Sequence, residues 1–230
     1  MIRQIINDTV EHFRRTKKNN VSISRALLEI PYKAYDKYFN IKNFYRKITK
    51  NSIFYFDNEL KMCSLFPQKI LDKVIEMYHP SSVLDIGCGI GRSLDYFISR
   101  NIKALGVEGS CLAISRANHP ELITKFNLNN ELKLDRKFDL VWSFEVAEHI
   151  HEKYVDYFIK SLVNHSDTIV ISAAPLGQGG EGHFNEQNPE YWVKKFKGYG
   201  YSFNEKNSKA LHKIDQKHSQ NMLIFEKLKK

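Results

Sequence analysis

Apolar positions follow two alternating periods along the chain from residue 67 onward. Short apolar runs bounded by Gly, Pro, Asn or Ser predict buried strands, and apolar residues spaced three and four apart predict amphipathic helices. The predicted strands are 81–87, 103–109, 122–128, 138–144, 167–174, 201–206 and 220–228. The predicted helices are 67–79, 91–100, 110–118, 152–165 and 189–200. Pro67 and Pro189 suit the first helical position, and Ser110 suits an N-cap.

Strands that alternate with helices in this way are joined as right-handed βαβ units. We therefore predict an α/β fold for residues 67–230, with a mainly parallel sheet covered by helices on both faces. Residues 1–66 contain helical pieces rich in Tyr, Phe and Lys, which predict an N-terminal helical extension or lid. Ligands of such sheets bind at the carboxyl ends of the strands, so the loops after the strands are the expected place of a binding site.

Three glycines at alternate positions follow the first predicted strand, in VLDIGCGIGRS at 83–93. Gly87, Gly89 and Gly91 allow the backbone to turn sharply and to approach a ligand without a Cβ in the way. Glu108 ends the second predicted strand, where a carboxylate can accept hydrogen bonds from both hydroxyls of a ribose. The spacing G-x-G-x-G differs from the dinucleotide fingerprint G-x-G-x-x-G, which disfavours NAD. A glycine turn without a ligand is the remaining alternative.

Residues 83–91, VLDIGCGIG, match the motif I pattern VLDIGCGxG, so the chain resembles the class I S-adenosylmethionine (SAM)-dependent methyltransferases. The resemblance covers residues 67–228 and implies a Rossmann-like, seven-stranded, mainly parallel sheet with one antiparallel strand. It implies that SAM lies across the glycine loop, with its ribose on Glu108 and its adenine beside FNL at 126–128. The residues that it places around SAM are Asp85, Gly87, Gly89, Gly91, Glu108, Asn127 and Leu128. Family members often carry Asp where this chain has Asn127.

An acidic and histidine-containing segment follows the fourth predicted strand, in FEVAEHIH at 144–151. Glu145, Glu148 and His149 are spaced i, i+3 and i+4, so one helical turn would place all three on a common face. Two carboxylates that converge with an imidazole need a positive charge between them. Mg²⁺ or Mn²⁺ suits such ligands. The alternative is that Glu148 and His149 start a helix, whose dipole favours an acidic first turn.

His183 lies in a glycine-rich loop after the fifth predicted strand, GQGGEGHFNEQNPEYW at 177–192, which can fold back over the cleft. The E-x-x-E-H motif with a later histidine resembles the small-RNA 3′-terminal 2′-O-methyltransferases, in which two Glu and two His hold a metal against the ribose hydroxyls. The ubiquinone-biosynthesis O-methyltransferases carry a similar motif. The resemblance implies the metal ligands Glu145, Glu148, His149 and His183, although His183 follows His149 at a shorter spacing than in the RNA enzymes.

The catalytic candidates are His149, His183 and Glu145, and without a metal one of the two histidines becomes the general base. SAM activates its own methyl group, so an enzyme must mainly align a nucleophile and help it lose a proton. A divalent ion that chelates a vicinal diol does both, which favours O-methylation of a diol hydroxyl. The stretch GGEGHFNEQNPEYW at 179–192 also resembles a loop of methyltransferases from glycan-modifying gene clusters and large viruses, so a glycan or nucleotide-sugar is the first candidate acceptor. An RNA ribose, a small aromatic or lipid-precursor molecule and a non-catalytic SAM-binding protein are the alternatives.

The net charge of +9 is unevenly distributed, because residues 1–61 hold 13 Lys and Arg against 6 Asp and Glu. Residues 194–230 hold 10 against 3. Basic flanks of this kind suit an anionic partner such as RNA, or reflect a solvated surface. No apolar run reaches the roughly 20 residues of a membrane span. No secretion signal is evident, and three cysteines without metal-type spacing fit a reducing compartment, so a cytoplasmic protein is expected.

Overall fold

The computed structural model describes residues 66–180 and 182–228. The predicted N-terminal helical extension at 1–66 therefore lies outside the described residues, except for Phe66. The described strands are β1 (Ser82–Ile86), β2 (Lys103–Glu108), β3 (Ile123–Lys125), β4 (Leu140–Ser143), β5 (Thr168–Ser172), β6 (Tyr201–Phe203) and β7 (Met222–Lys227). They form one sheet in the order β3-β2-β1-β4-β5-β7-β6.

Parallel pairing joins β3, β2, β1, β4 and β5, whereas β7 is antiparallel to both of its neighbours. The predicted Rossmann-like, seven-stranded, mainly parallel sheet with one antiparallel strand is confirmed. Because β7 runs against β5, its first residue, Met222, pairs with the last residue of β5, Ser172. The segment before β7 therefore reaches the same edge of the sheet as the loops after β1, β4 and β5.

The described α-helices are α1 (Gln68–Tyr78), α2 (Arg92–Ser99), α3 (Cys111–Ser115), α4 (Val155–Val163), α5 (Pro189–Lys197) and α6 (Glu205–His212). Short 3₁₀ turns occupy Pro120–Leu122, Ala147–His149, Glu152–Tyr154 and Ser219–Asn221. The predicted N-cap is confirmed, because Ser110 Oγ accepts a hydrogen bond from the Ala113 amide over 3.2 Å. Pro67 is the N-cap of α1 instead of its first helical residue.

Two apolar cores cover the two faces of the sheet. Alternate residues of a strand point to opposite faces, so Leu84 and Ile86 enter one core and Val83 enters the other. The first core contains Phe158 of α4 and Trp192 of α5. The second contains side chains of α1, α2 and α6, namely Ile70, Leu71, Val74, Leu94, Phe97 and Leu211. Helices therefore cover both faces of the sheet, as predicted.

The structure differs from the predicted elements mainly near the end of the chain. The strand predicted at 201–206 ends at Phe203, and helix α6, which was not predicted, begins two residues later. Asn204 caps α6 by accepting a hydrogen bond from the Asn207 amide over 2.9 Å. The strand predicted at 122–128 is limited to Ile123–Lys125. In the described part of the chain, no helix is long and apolar enough to cross a membrane.

Candidate active site

An open cavity lies at the carboxyl edge of the sheet and encloses about 1180 Å³ including its mouth. Its lining combines Asp85 and Gly89 of the glycine loop with His149, His183 and His218. The predicted SAM loop and part of the predicted acidic–histidine cluster therefore share one cavity. His218 was not among the predicted site residues.

The glycine loop joins β1 to α2 through three residues with left-handed backbone. The φ angles are +77° at Gly87, +56° at Gly89 and +79° at Gly91, a region that L side chains rarely adopt. A Cβ on Gly87 would also collide with Val146 Cγ2. Backbone angle and space together therefore require glycine at position 87. The loop is held to β2 because the Gly87 amide donates to the Val107 carbonyl over 2.8 Å.

Glu108, at the end of β2, is buried directly behind the glycine loop. Its Oε2 accepts a hydrogen bond from the Gly89 amide over 2.9 Å, and its Oε1 accepts one from the Ser110 amide over 2.7 Å. Burial raises the pKa of Glu108, and the bonds from Ser110 and Gly89 oppose that rise. The carboxylate thus fixes the loop that is expected to carry SAM.

The other predicted SAM residues differ in where they lie. Asp85 and Gly87 line the cavity. Leu128 is buried in the first apolar core. Asn127 is exposed, and its Oδ1 already accepts a hydrogen bond from the Asn129 amide over 3.0 Å. The predicted contact of Asn127 with adenine would have to coexist with this turn.

Asp85 is a buried acid at the floor of the loop, with 2% of its surface exposed. Its Oδ2 has no hydrogen-bond partner among the residues that the structure describes. Burial, with a smaller contribution from the charge of Glu108, raises the pKa of Asp85 to about 8. The folded protein therefore keeps Asp85 protonated at a pH at which the unfolded chain has lost that proton.

Asp85→Asn should change the pH dependence of stability. A raised pKa in the folded state stabilises the fold at acidic pH, and that contribution is lost as pH rises from about 4 to 8. The loss is at most about 1.4 kcal/mol per pH unit at 25 °C. We expect the free energy of unfolding of Asp85→Asn, relative to the wild type, to increase between pH 5 and pH 8 in urea titrations. Parallel pH profiles for the two proteins would show that Asp85 is not held protonated.

Glu148, His149 and His183 form a compact cluster, in which one possible ligand atom from each residue lies within 4.8 Å of the others. Glu148 is completely buried, and neither of its carboxylate oxygens has a hydrogen-bond partner in the described part of the chain. Burial, and next the charge of Glu145, raises the pKa of Glu148 to about 8. An unpaired buried carboxyl beside two imidazoles is the donor set that a divalent cation would satisfy.

The two histidine rings of this cluster are held by their Nδ1 atoms. His149 Nδ1 lies 2.9 Å from the Gly182 carbonyl, and His183 Nδ1 lies 2.8 Å from Glu186 Oε1. Acceptors at Nδ1 fix the tautomer that leaves Nε2 free for a metal. The ring centroids are 5.1 Å apart in an edge-on arrangement. His183 therefore reaches His149 despite its short spacing along the chain.

Backbone hydrogen bonds bring the glycine-rich loop to this cluster. The amides of Phe184 and Asn185 both donate to the Glu148 carbonyl, over 2.9 and 3.1 Å. The ring of Phe184, in the same loop, stacks on the ring of His151, with centroids 4.2 Å apart. The predicted fold-back of the loop over the cleft is thus observed.

Glu145 does not lie on the common helical face that its spacing predicted. The three side chains do not share one helical turn, because Glu145 has a φ of +55° and the 3₁₀ turn begins only at Ala147. Glu145 Oε1 accepts a hydrogen bond from Ser172 Oγ over 2.8 Å, and Oε2 lies 3.1 Å from His218 Nδ1. Both carboxylate oxygens are therefore occupied, and Glu145 stands outside the compact cluster as the partner of His218.

Gly180→Ala should weaken metal binding by displacing His183. A Cβ on Gly180 would collide with the His183 ring at Nε2. Displacing a ligand by such a contact should lower Mn²⁺ affinity by about tenfold or more in isothermal titration. Gly198→Ala is the control, because Gly198 follows α5 with right-handed helical backbone and lies outside the cavity lining. Equal Mn²⁺ affinities of the two variants would contradict the arrangement.

Comparison with known proteins supports the Rossmann-like fold described above. Residues 61–166 match a family model described as a methyltransferase domain. A tocopherol O-methyltransferase of Arabidopsis thaliana is 37% identical over 91 residues, which are 35% of this chain and 26% of that protein. The chain spans between 23% and 28% of the length of the curated relatives that it matches.

Two solved structures resemble the chain over most of its length. Magnesium protoporphyrin IX methyltransferase from Synechocystis PCC 6803, with bound S-adenosylhomocysteine, has a TM-score of 0.57 at 16% identity, covering 83% of this chain and 97% of that chain. The methyltransferase domain of bacterial CtHen1-C has a TM-score of 0.53 at 22% identity, covering 70% and 95%. The chain has the fold of the SAM-dependent methyltransferases. The glycine loop follows β1, and Glu108 ends β2, at the carboxyl edge of this sheet.

Proposed function

We propose that the chain is a SAM-dependent O-methyltransferase that acts on one hydroxyl of a vicinal diol with the help of a divalent metal ion. The observation that carries the proposal is the cluster of Glu148, His149 and His183, of which the two histidines line the cavity of the glycine loop. The glycine loop and Glu108 supply the methyl donor site. An alcohol is only weakly acidic and needs help to lose its proton, which a cation held by the cluster would give. The cluster therefore favours a hydroxyl as the acceptor.

The residues of the cluster suit Mg²⁺ or Mn²⁺, because they offer one carboxylate and two imidazole nitrogens. When bound, such an ion lowers the pKa of a coordinated hydroxyl and holds a diol as a bidentate chelate. Glu148 would supply the negative charge. His149 and His183 would supply Nε2 atoms whose orientation is set by Gly182 and Glu186. Glu145 is not part of the proposed ligand set, because it is not among the residues whose ligand atoms all lie within 4.8 Å of one another.

The acceptor that we favour is a sugar hydroxyl of a glycan or nucleotide-sugar. The cavity lining offers the polar side chains of Gln178 and Lys217 to a hydroxylated acceptor, and it also contains the aromatic rings of Trp142 and Phe144. The names of the curated relatives refer to tocopherol and 2-methyl-6-phytyl-1,4-hydroquinone, so a hydroquinone belongs in any comparison of acceptors.

The 3′-terminal ribose of RNA is the second candidate acceptor, because it is also a vicinal diol. Arg92 and Lys217 line the cavity, and neither has an acidic partner among the described residues. Unpaired cations at a cavity suit a phosphate next to the reacting sugar. Binding of RNA would weaken steeply with salt, in proportion to the phosphates contacted, whereas binding of a neutral glycan would not.

Methyl transfer from labelled SAM to a panel of acceptors tests the proposal. The panel contains oligosaccharides, nucleotide-sugars, short RNA, the same RNA after periodate cleavage of its terminal diol, and a prenylated hydroquinone. We expect transfer only to acceptors with an intact diol, loss of transfer after chelation, and recovery with Mn²⁺ or Mg²⁺. Full activity after complete metal removal would overturn the metal role, and transfer only to the hydroquinone would overturn the diol.

A further inference from the structure

His218 occupies a place in the cavity that the proposed metal cluster does not use. It belongs to the segment between α6 and β7, which the antiparallel direction of β7 brings to the carboxyl edge of the sheet. Its backbone has a φ of +66°, and its carbonyl accepts a hydrogen bond from the Asn221 amide over 3.0 Å. A tight turn therefore directs this ring into the lining of the cavity.

One nitrogen of the His218 ring is held by a chain of hydrogen bonds. Nδ1 lies 3.1 Å from Glu145 Oε2, and Glu145 Oε1 accepts from Ser172 Oγ over 2.8 Å. The Ser172 hydroxyl oxygen in turn accepts from the Glu145 amide over 2.6 Å. The edge of Phe144 limits rotation of the ring, with centroids 6.1 Å apart. A carboxylate at Nδ1 favours the tautomer with hydrogen on Nδ1 and a lone pair on Nε2.

The other nitrogen, Nε2, is buried and has no hydrogen-bond partner among the residues that the structure describes. A buried nitrogen without a partner in the lining of a cavity is expected to meet a group of the bound ligand. The charged neighbours that act on the ring are Glu145, Lys217 and His183. The glycine loop in the same cavity sets the position of the methyl donor, so that ligand group is expected to be the acceptor.

We propose that His218 Nε2 accepts the proton of the hydroxyl that is methylated, with Glu145 as the residue that positions the ring. This proposal rests on the proposed O-methyltransferase function. The O–H bond of the acceptor breaks and its proton passes to Nε2. The oxygen forms a bond to the methyl carbon of SAM, while the carbon–sulfur bond breaks and leaves its electron pair on sulfur as S-adenosylhomocysteine. The imidazolium is then paired with the Glu145 carboxylate.

This role separates His218 from the two histidines of the cluster. His149 and His183 each have a possible ligand atom within 4.8 Å of the other's and of the Glu148 carboxyl, so they suit a cation. His218 is held by a carboxylate at Nδ1, an arrangement that suits a general base. His218, which lies 35 positions after His183, thereby replaces the two bases that the sequence suggested, His149 and His183.

The test compares His218→Asn and Glu145→Gln with the wild type, using the acceptor that the panel identifies. Asparagine tolerates left-handed backbone and keeps a polar group, but it cannot take a proton at neutral pH. We expect kcat to fall by about 10²- to 10⁴-fold in His218→Asn and less in Glu145→Gln. The affinities for SAM and Mn²⁺ should not change. Imidazole added to His218→Gly, whose glycine suits the same backbone, should restore part of kcat.

The matched control is His119→Asn, since His119 also pairs with a carboxylate, Glu121, but outside the cavity lining. A wild-type kcat in His218→Asn would overturn the role of His218 while leaving the O-methyltransferase function intact. A wild-type protein that methylates no acceptor would overturn both. A third readout is independent of the acceptor: long-range ¹H–¹⁵N spectra should show His218 with hydrogen on Nδ1 alone. Hydrogen on Nε2 at neutral pH would overturn the proposal whichever acceptor is methylated.

Discussion

Glu108→Ala is expected to lower the affinity for SAM by about 30- to 1000-fold, which corresponds to the loss of two hydrogen bonds from ribose hydroxyls to a charged acceptor. The same carboxylate also holds the Gly89 and Ser110 amides. Its removal therefore costs contacts to the ligand and order in the loop at the same time. Isothermal titration with SAM and with S-adenosylhomocysteine measures the loss.

Glu108→Gln is the milder change. The amide keeps one oxygen that can accept from Gly89 or Ser110, but it replaces the second acceptor by a donor that faces the other backbone amide. We expect Glu108→Gln to be less stable than the wild type by about 1–3 kcal/mol and to bind SAM at least about tenfold more weakly. Glu121→Gln, an exposed change remote from the loop, serves as the control. SAM affinities within threefold of one another would contradict the assignment of Glu108 to the ribose.

The fold was predictable because it depends on local periodicity. Each strand that lies inside the sheet is an apolar run, and the predicted helices repeat their apolar residues at helical spacing, as with Ile70, Leu71 and Val74 of α1. Helix α6 escaped prediction because it buries only Ser208 and Leu211 over eight residues. One apolar and one small polar residue do not establish a period, so its capping residue Asn204 was the remaining local signal.

The candidate site was predictable only where its residues are close in sequence to a strand end. The glycine loop follows β1 directly and Glu108 ends β2, and the fold brings them together without further information. The pairing of Glu145 with His218 joins residues 73 positions apart. It depends on the antiparallel direction of β7 and on a left-handed turn at His218. No local pattern in the sequence expresses either feature, so the segment before β7 gave no sign of a functional residue.

The position of Glu145 shows the same limit at short range. Spacing of i, i+3 and i+4 predicts a common face only if the segment is helical. Here the chain leaves β4 through a left-handed residue, Glu145, and only then forms a 3₁₀ turn. That single backbone angle divides the acidic motif into a cluster around Glu148 and a separate pair with His218. One cavity thereby holds a candidate metal site and a candidate base.

Glu148→Gln and His183→Ala are each expected to lower Mn²⁺ affinity by at least about a hundredfold, because each removes one of three ligands from the cluster. Glu152→Gln and His119→Asn are the matched controls, since both residues lie outside the cavity lining. Isothermal titration of the purified full chain measures the affinities. A Mn²⁺ affinity unchanged in both cluster variants would overturn the metal site.

Glu148→Gln also distinguishes a metal ligand from a structural acid. In the metal-free protein Glu148 is a buried acid whose two oxygens lack partners among the described residues, an arrangement that destabilises the fold. Because its raised pKa keeps Glu148 protonated and neutral at pH 7, a glutamine of the same shape changes no charge, and the metal-free variant should unfold at a temperature close to that of the wild type. Mn²⁺ should raise the melting temperature of the wild type and leave that of Glu148→Gln unchanged. A metal-free variant that melts well below the wild type would instead identify Glu148 as a structural residue.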